Sequence, residues 1–534
     1  MTTGVISTAG HGGEPPHDPE STEARRAELL RARLAGRRRR GAASALPRAD
    51  RDAPLALSSG QQQMWFLNRL APESPEYLMP LALRLRGGLD RAALLGALTD
   101  VVDRHEVLRT RYTMADGRPV QIIDDARPLD SPVYEEADLT GTAAAEREIA
   151  AAEFVRRETS VGFDLELTAP LRIRLVRLAE DDHLLLVVFH HIAGDDRSTE
   201  VFTGELARFY RHRTGGDGGL PAPLPVQYAD YAAWQRSRLT DDLLAPRLAY
   251  WRQQLAGLEP LELPADRPRP AVRDWHGATA PLTVPADRAA VLRELAQERQ
   301  TTPFVLLLTA FQVLLGRCAG RTDIAVGTPV ADRTRPEVRD LIGYLVDTVV
   351  LRARWQGDAT FDELLRDNRA TVLDALSHQD LPFSTLVDEL QPERDLSRTP
   401  LFQVAFALHS AADRAAALPG VTVEHAETPW TVAKFDLSLQ LEEQADGSLR
   451  GAIEYATALF DHGTAERFAE RFTRLLAGIA DAPGSRISEL PLIGAVERTL
   501  LEAGGTDPRA ADTRPTGTGV AGRDEDLCVQ EVFA

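Results

Sequence analysis

Two adjacent histidines, His190 and His191, follow a run of apolar residues and precede two aspartates in the segment HHIAGDD at residues 190–196. A neutral imidazole at the end of a buried strand can act as a general base and take a proton from an amine, a hydroxyl or a thiol. Neighbouring residues of a strand point to opposite faces, so only one of the two histidines can face a given centre. That alternation disfavours a metal site, although Asp195 and Asp196 are hard oxygen ligands. A pair of structural histidines with satisfied hydrogen bonds is the alternative that these residues leave open.

Other chemistries lack the residues that they need. The chain has no Gly-x-Ser-x-Gly elbow and no Gly-x-x-x-x-Gly-Lys phosphate loop. Its net charge of -19 argues against nucleic acid and against an anionic membrane as partners. Its two cysteines form neither a disulfide framework nor a zinc cluster, and no apolar segment near the start resembles a signal peptide. We therefore expect a cytoplasmic protein that holds no metal.

The histidine pair needs a strand, a turn and a helix to position it. Leu171 to Leu175 alternate between apolar and polar residues, as in a half-buried strand, and Leu184 to Phe189 form a continuous apolar run, as in a central strand. Apolar residues then recur at helical spacing from Val201 to Tyr210. The sequence thus predicts that the histidines lie at the C-terminal end of a central strand.

The chain of 534 residues is long enough for several folding units. Residues 215–225 contain four glycines and three prolines, which is typical of a linker between two lobes. A second α/β region follows, in which the apolar stretch Val305 to Leu315 predicts a core helix. Its strand candidates are Ile324 to Val326, Val346 to Leu351, Phe402 to Ala407 and Leu437 to Leu441.

Both termini differ in composition from the rest. Residues 1 to about 20 are rich in Gly, Pro and Thr and are expected to be disordered. A helix with Leu29, Leu30 and Leu34 on one side then precedes the basic run from Arg37 to Arg40. This tail is interpreted either as a solvated basic segment or as a docking element for an acidic partner protein. After Leu492 the chain is rich in Gly, Thr, Asp and Arg until an apolar restart in its last eight residues.

Seven segments occur in the order of the sequence motifs of condensation domains from nonribosomal peptide synthetases. The pattern His-His-x-x-x-Asp is also shared by chloramphenicol acetyltransferase and other CoA-dependent acyltransferases. The segments are SSGQQQMWFL (58–67), RHEVLRT (104–110), HHIAGDD (190–196), YADYAAW (228–234), IGYLVDT (342–348), HQDLPF (378–383) and RDLSRTPL (394–401). Over about Leu55 to Leu492 the chain therefore resembles this family.

The resemblance implies an α/β (α+β) fold with two chloramphenicol acetyltransferase-like lobes that form a V around a central tunnel. It implies an N-terminal lobe at 51–225 and a C-terminal lobe at 226–492. The tail at 1–50 would precede them, and a linker with the start of an adenylation domain would follow at 493–534. The chain would then be a piece excised from a larger synthetase subunit.

The resemblance also implies a reaction and its partners. The amine of an acceptor aminoacyl thioester would attack a donor acyl or peptidyl thioester, forming a peptide bond. Both substrates would be carried on phosphopantetheine arms of carrier proteins, and no cofactor would be bound to this chain itself. The donor carrier is expected upstream on another polypeptide, and an acceptor carrier and an adenylation domain are expected downstream. A non-catalytic platform that recruits another enzyme, and an ester-forming acyltransferase, are the alternatives.

By motif position, the resemblance makes His191 the catalytic histidine, either as a base or as a group that positions the amine. His190 would support the strand, and Asp195 would pair with an arginine of the other lobe, for which Arg333 is the candidate. The residues that the resemblance brings near the tunnel are Gly194, Asp196, Asp347 and Thr348.

Three residues depart from the family pattern. Asp196 stands where glycine is usual, so its charge would raise the pKa of His191 unless its side chain points away. Asp347 replaces a usual asparagine, and Gln63 replaces a usual arginine. The opening motif resembles that of domains that take an L-configured donor. Heterocyclisation is disfavoured, because both histidines are present.

Overall fold

The computed structural model describes residues 46–130, 132–217, 219–390, 395–409, 418–426, 428, 432–494 and 497–499. The described residues from Arg48 onward belong to one compact unit. The leucine-bearing helix expected near residue 30, Arg394 of the seventh motif and the start of an adenylation domain lie outside the described residues.

The N-terminal half contains a small three-stranded sheet and most of a five-stranded sheet. Its strands are β1 Leu55–Ala56, β2 Leu78–Gly87, β3 Thr110–Ala115, β4 Arg118–Ile123, β5 Tyr134–Asp138, β6 Leu171–Ala179 and β7 Asp182–His190. Its helices are α1 Ser59–Leu70, α2 Arg91–Arg104, α3 Ala144–Glu158 and α4 Asp196–Arg213. The strands predicted at 171–175 and 184–189 are confirmed as parts of β6 and β7.

The C-terminal half is built on a six-stranded sheet. The six strands of this sheet are β8 Gly277–Val284, β9 Asp323–Ala331, β10 Val346–Arg354, β11 Val404–His409, β13 Leu437–Glu443 and β14 Leu449–Ala456, and a seventh strand of this half, β12 Val421–His425, joins the five-stranded sheet. This half also contains seven of the described helices. Its helices are α5 Tyr228–Arg238, α6 Asp241–Gln254, α7 Ala286–Glu298, α8 Pro303–Ala319, α9 Phe361–Ser377, α10 Phe383–Leu390 and α11 His462–Asp481. The predicted core helix is confirmed, because every residue from Val305 to Leu315 in α8 is buried.

Strand β7 is the element that carries the histidine pair. It pairs antiparallel with β2 on one side and with β6 on the other, and Leu184 to Phe189 are all buried. A strand covered on both faces is expected to be apolar along its whole length. The chain leaves β7 at His190, makes a short 3-10 turn over His191–Ala193 and enters α4. The predicted order of strand, turn and helix is therefore confirmed.

One strand of the five-stranded sheet comes from the other half of the chain. The sheet order is β12-β2-β7-β6-β5, and β12 pairs antiparallel with β2 from Leu83 to Gly87. The six-stranded sheet, in the order β10-β9-β11-β13-β14-β8, contains strands of the C-terminal half alone. A division of the chain at residue 225 therefore does not separate the two sheets. Strand β12 covers an edge of β2 that would otherwise present unpaired backbone groups.

Within the described ranges, no single helix has the length and apolar character needed to cross a bilayer. Helices α7 and α8 would reach that length only together, and they are bent by 105° at the break between them.

Candidate active site

The imidazole of His191 is oriented by the turn in which it lies. Its backbone N–H donates to the carbonyl of Tyr77 at 2.8 Å, and Tyr77 directly precedes β2. Its ring Nδ1 lies 2.8 Å from the carbonyl oxygen of Gly194. A carbonyl oxygen only accepts, so Nδ1 carries the proton and Nε2 carries the free lone pair. The turn therefore presents Nε2 as a proton or hydrogen-bond acceptor.

His190 is turned into the core of the N-terminal half. It is 3% exposed, and its ring contacts Phe163 edge to face, with 6.1 Å between the ring centroids. Its Nδ1 accepts a hydrogen bond from the Ile192 N–H at 3.1 Å, which closes the turn. The two histidine side chains thus lie in different surroundings, because side chains of neighbouring strand residues point to opposite faces.

Burial keeps both rings neutral. Burial, followed by the positive charge of Lys434, lowers the pKa of His191 to about 3. The same two causes lower the pKa of His190 to about 3. Of the two alternatives for Asp196, the structure favours the one in which its side chain points away, because the pKa of His191 is lowered and not raised. The Asp196 side chain is 67% exposed and lies 3.7 Å from the His409 ring, so solvent screens its charge.

Asp195 is a fully buried hub that joins the two halves of the chain. Its Oδ1 accepts from Arg333 Nη2 at 2.7 Å and from the Ser198 N–H at 2.8 Å. Its Oδ2 accepts from the Leu345 N–H at 3.1 Å. Asp195 also caps the N-terminus of α4 in a capping box with Ser198. These donors satisfy the hydrogen-bonding capacity of the buried carboxylate, which fixes the start of α4.

The segment 342–348 of the C-terminal half is held against this hub. Gly343 N–H donates to Ser198 Oγ at 3.1 Å, and the hydroxyl of Tyr228 donates to the Tyr344 carbonyl at 2.7 Å. The Tyr344 ring meets the His191 ring edge to face, with 5.2 Å between their centroids. Gly60 in α1 allows this approach, because a Cβ there would lie 2.4 Å from the Tyr344 ring. Contacts from both halves of the chain thus fix the wall beside His191.

The other residues expected near the tunnel have local partners. The Asp347 Oδ1 accepts from the Thr348 N–H at 2.7 Å and from the Phe383 N–H at 3.1 Å, so it ties β10 to α10. Burial raises the pKa of Asp347 to about 7, against the lowering effect of these two hydrogen bonds. Thr348 lies opposite Pro329 in the ladder between β10 and β9. Gly194 is buried in an extended conformation, and its carbonyl orients His191.

Three residues of this site were not singled out from the sequence. Ser198 has a local signal, because a polar residue three positions after a capping aspartate indicates a capping box. Tyr344 lies inside a recognised motif, but nothing in its spacing reveals that it packs on His191. Lys434 is the only lysine of the chain, and only the fold brings it close to the histidines.

Comparisons with known proteins give the family. The condensation domain family matches residues 52–502. The chain is 42% identical over 470 residues to one of the linear gramicidin synthase proteins of Brevibacillus parabrevis, covering 87% of this chain and 9% of that protein. It is 39% identical over 524 residues to the phosphinothricin tripeptide synthetase PhsC of Streptomyces viridochromogenes, covering 94% of this chain and 48% of that protein. The chain therefore spans less than half the length of both relatives.

A solved structure supports the same assignment. The X-domain from teicoplanin biosynthesis is 33% identical with a TM-score of 0.76, and the match covers 84% of this chain and 100% of that one. That X-domain has also been solved in a complex with OxyB. The chain belongs to the condensation domain family of the nonribosomal peptide synthetases and has the two-lobed, chloramphenicol acetyltransferase-like fold of that family.

Proposed function

We propose that this chain forms a peptide bond between a donor acyl or peptidyl thioester and the amine of an acceptor aminoacyl thioester. The observation that carries the proposal is the tautomer of His191. Its Nδ1–H donates to the Gly194 carbonyl at 2.8 Å, which leaves a neutral Nε2 available to an incoming amine. The substrates are carried on phosphopantetheine arms, and this chain supplies the positioning and the acid–base group.

In this proposal His191 acts on the acceptor amine in one of two ways. As a base, it takes the proton that the amine loses when it attacks the donor carbonyl, and the thiolate of the donor arm leaves. As a positioner, it accepts a hydrogen bond and fixes the amine for attack. A free α-ammonium group titrates near pH 8, so a modest change of environment exposes the nucleophile without a strong base. Both versions require the neutral Nε2.

The remaining site residues act through His191 in this proposal. Asp195 and Arg333 hold the two halves of the chain in register, and His190 supports the end of β7. Gly194, Asp196, Asp347 and Thr348 line the tunnel in which the arms meet. Asp347 is neutral over part of the physiological range, because its pKa is raised to about 7. A neutral group there adds little charge to the path of the substrates.

The partners belong to the same proposal. We expect an upstream donor carrier protein, and a downstream acceptor carrier protein and adenylation domain. Residues 493–534 would be a linker and the start of that adenylation domain. The two synthetases compared above support this, because each is about twice as long as the segment that matches, or longer. The opening motif favours an L-configured donor.

The experiment loads a donor carrier with an acyl thioester and an acceptor carrier with an aminoacyl thioester, and follows both by intact mass. We expect the wild-type chain to move the donor group onto the acceptor arm. A matched acceptor with a hydroxyl in place of the amine separates amide formation from ester formation. No product with either acceptor would contradict the proposal and favour a platform that recruits another enzyme. An Asp196→Gly variant, run in parallel, tests whether that aspartate alters the site.

A further inference from the structure

His105 is a buried histidine that lies directly after α2 and is 1% exposed. Its ring is held from two sides. Its Nε2 lies 2.9 Å from Glu205 Oε2 in α4, and its Nδ1 accepts a hydrogen bond from the backbone N–H of Ile342 at 3.3 Å. Glu205 belongs to the N-terminal half and Ile342 to the C-terminal half, so this imidazole bridges the two halves of the chain.

The two contacts determine where the proton of the His105 ring lies. A backbone N–H only donates, so Nδ1 must carry a lone pair, and a carboxylate only accepts, so Nε2 must carry the proton. The ring is therefore neutral and has the opposite tautomer from His191, whose Nδ1 is protonated. Arg104 Nε also donates to the second oxygen of Glu205 at 2.9 Å, so this carboxylate has a cation beside it without a charge on His105.

The surroundings of His105 agree with a neutral ring. Burial lowers its pKa, against the raising effect of Glu205. The positive charges of Arg104 in α2 and of Arg333, two residues after β9, lower the pKa further. A second proton on Nδ1 would replace the acceptor of the Ile342 N–H with a donor, and the contact between the halves at this point would be lost.

The anchored backbone leads directly to the wall beside His191. Two residues after Ile342, the Tyr344 ring meets the His191 ring edge to face, with 5.2 Å between their centroids. Between them, Gly343 packs so closely on α5 that a Cβ at this position would lie 1.9 Å from a tyrosine ring. A shift of the Ile342 backbone is therefore expected to reach Tyr344, because densely packed interiors transmit strain.

We propose that His105 is a positioning residue for the condensation chemistry, whose unprotonated Nδ1 anchors the backbone of Ile342. This anchor keeps the Tyr344 ring against His191 and so fixes the wall of the site. His105 touches no reacting atom and acts only through the segment 342–348. The link to catalysis rests on the proposed function, whereas the hydrogen-bonded bridge between the two halves does not.

The first experiment determines the tautomer in the wild-type chain. The 15N chemical shifts of a histidine ring distinguish a nitrogen that carries a proton from one that carries a lone pair, and the His105 ring is identified by its proximity to the Ile342 amide proton. We expect a proton on Nε2 and none on Nδ1 at pH 7. A proton on Nδ1, in a neutral or in a charged ring, would overturn the proposal.

The second experiment uses two amide variants that separate the two contacts of the ring. In His105→Asn the side-chain oxygen can take the place of Nδ1 and accept from Ile342, while the bond to Glu205 is lost. In His105→Gln the longer side chain can donate its amide to Glu205, while the Ile342 N–H loses its acceptor. The two variants thus form a matched pair in which only one contact is removed at a time.

We expect His105→Gln to lower the single-turnover rate of condensation by about 10- to 100-fold more than His105→Asn, because only the Gln variant releases the segment 342–348. Circular dichroism and melting temperatures verify that both variants fold. Equal losses, or a larger loss in His105→Asn, would contradict the inference, since the contact with Glu205 would then be the one that matters. The tautomer of the wild-type chain decides the question if either variant fails to fold.

The proton signals of the His191 ring report the same event without carrier proteins. The Tyr344 ring lies edge to face with His191, so its ring current contributes to the chemical shifts of the imidazole protons. His105→Gln should move these signals further than His105→Asn does. Equal or smaller shifts in the Gln variant would overturn the positioning role even in an active chain, whereas a chain that fails the condensation assay can still pass this test.

Discussion

At the residue scale, the orientation of His191 depends on one carbonyl. Gly194 O fixes the proton on Nδ1, and the burial of the ring keeps it neutral. The residue type and its place at the end of a strand could be inferred from the sequence, because a buried apolar run ends there. The tautomer could not, since it depends on which backbone oxygen the turn brings within reach.

Asp347 gives a prediction of pH-dependent stability. Its pKa is about 7 in the folded chain and about 4 in an unfolded one, so the folded state binds the additional proton between these values. Stability therefore falls as the pH rises from about 4 to about 7. Asp347→Asn keeps the Oδ1 that accepts from the backbone, so its stability should not fall over that range. At pH 8 the variant should be more stable by about 1–2 kcal/mol, allowing for partial exposure.

Thermal or urea unfolding of both chains at pH 4.5, 6 and 8 measures this difference. Asp388→Asn serves as a control for the loss of a carboxylate elsewhere in the same half of the chain. Parallel stability curves for wild type and Asp347→Asn would show that Asp347 has an ordinary pKa.

At the element scale, helix α1 packs its second residue against the wall of the site. Gly60→Ala would bring a Cβ within 2.4 Å of the Tyr344 ring, which itself packs on His191. Overpacking of this kind costs about 1–3 kcal/mol. We expect a lower melting temperature and, under the proposed function, a slower condensation rate, because the ring beside His191 must move.

Gly204→Ala in α4 is the matched substitution for that test. Nothing lies within 4 Å of a Cβ at this position, so the change should stabilise the helix by about 0.5–1 kcal/mol. Differential scanning calorimetry distinguishes the two glycines. Equal shifts of the same sign would mean that the close approach of Tyr344 has no energetic consequence.

The contact between α4 and the segment before β10 depends on a buried ion pair. Arg333 and Asp195 have side chains that are 8% and 1% exposed, and breaking such a pair leaves a charge without its partner. Arg333→Met and Asp195→Asn should each cost about 3–5 kcal/mol. The double variant should cost less than the sum of the two, by about 0.5–3 kcal/mol.

Unfolding midpoints of the four chains complete this double-mutant cycle. The pair between Arg299 and Asp362, whose side chains are 38% and 30% exposed, is the comparison and should couple by less than about 1 kcal/mol. Additive costs at Asp195 and Arg333 would show that these residues do not act as one contact.

Elements with strong local patterns were predictable, and those set by distant partners were not. Strand β7 and helix α8 follow from long apolar runs, and α4 follows from the apolar residues at helical spacing between Val201 and Tyr210. The five residues of β12 carry no such pattern, because only Val421 and Val423 are apolar there and neither is fully buried. Its place beside β2 is set by tertiary pairing, which one sequence read alone does not contain.

At the scale of the whole molecule, the two halves share a sheet as well as a site. Strand β12 closes the edge of β2, and Asp195 and Ser198 of the N-terminal half bind the segment 342–348 of the C-terminal half. The family resemblance predicted two lobes, and the fold of the family is present. The resemblance did not predict that β12, a strand of the C-terminal half, pairs with β2 in the five-stranded sheet of the N-terminal half.

The pairing of β12 with β2 predicts how a truncated chain behaves. Residues 48–225 alone should aggregate or remain partly unfolded, because β2 keeps an open edge and Asp195 loses Arg333. Fusing residues 418–426 through a glycine-rich linker should recover part of the soluble, folded fraction. Gel filtration and circular dichroism measure both chains, and a monomeric, cooperatively unfolding fragment without β12 would contradict the prediction.

The central claim is that His191, with a neutral Nε2, serves the acceptor amine. The most direct measurement is a single-turnover rate of condensation between loaded donor and acceptor carriers, for wild type and for His191→Ala. His212→Ala is the matched control, since His212 is exposed at the far end of the same helix α4. We predict a rate lower by about 10²- to 10⁴-fold for His191→Ala and an unchanged rate for His212→Ala. Equal rates for His191→Ala and wild type, with equal melting temperatures, would contradict the account.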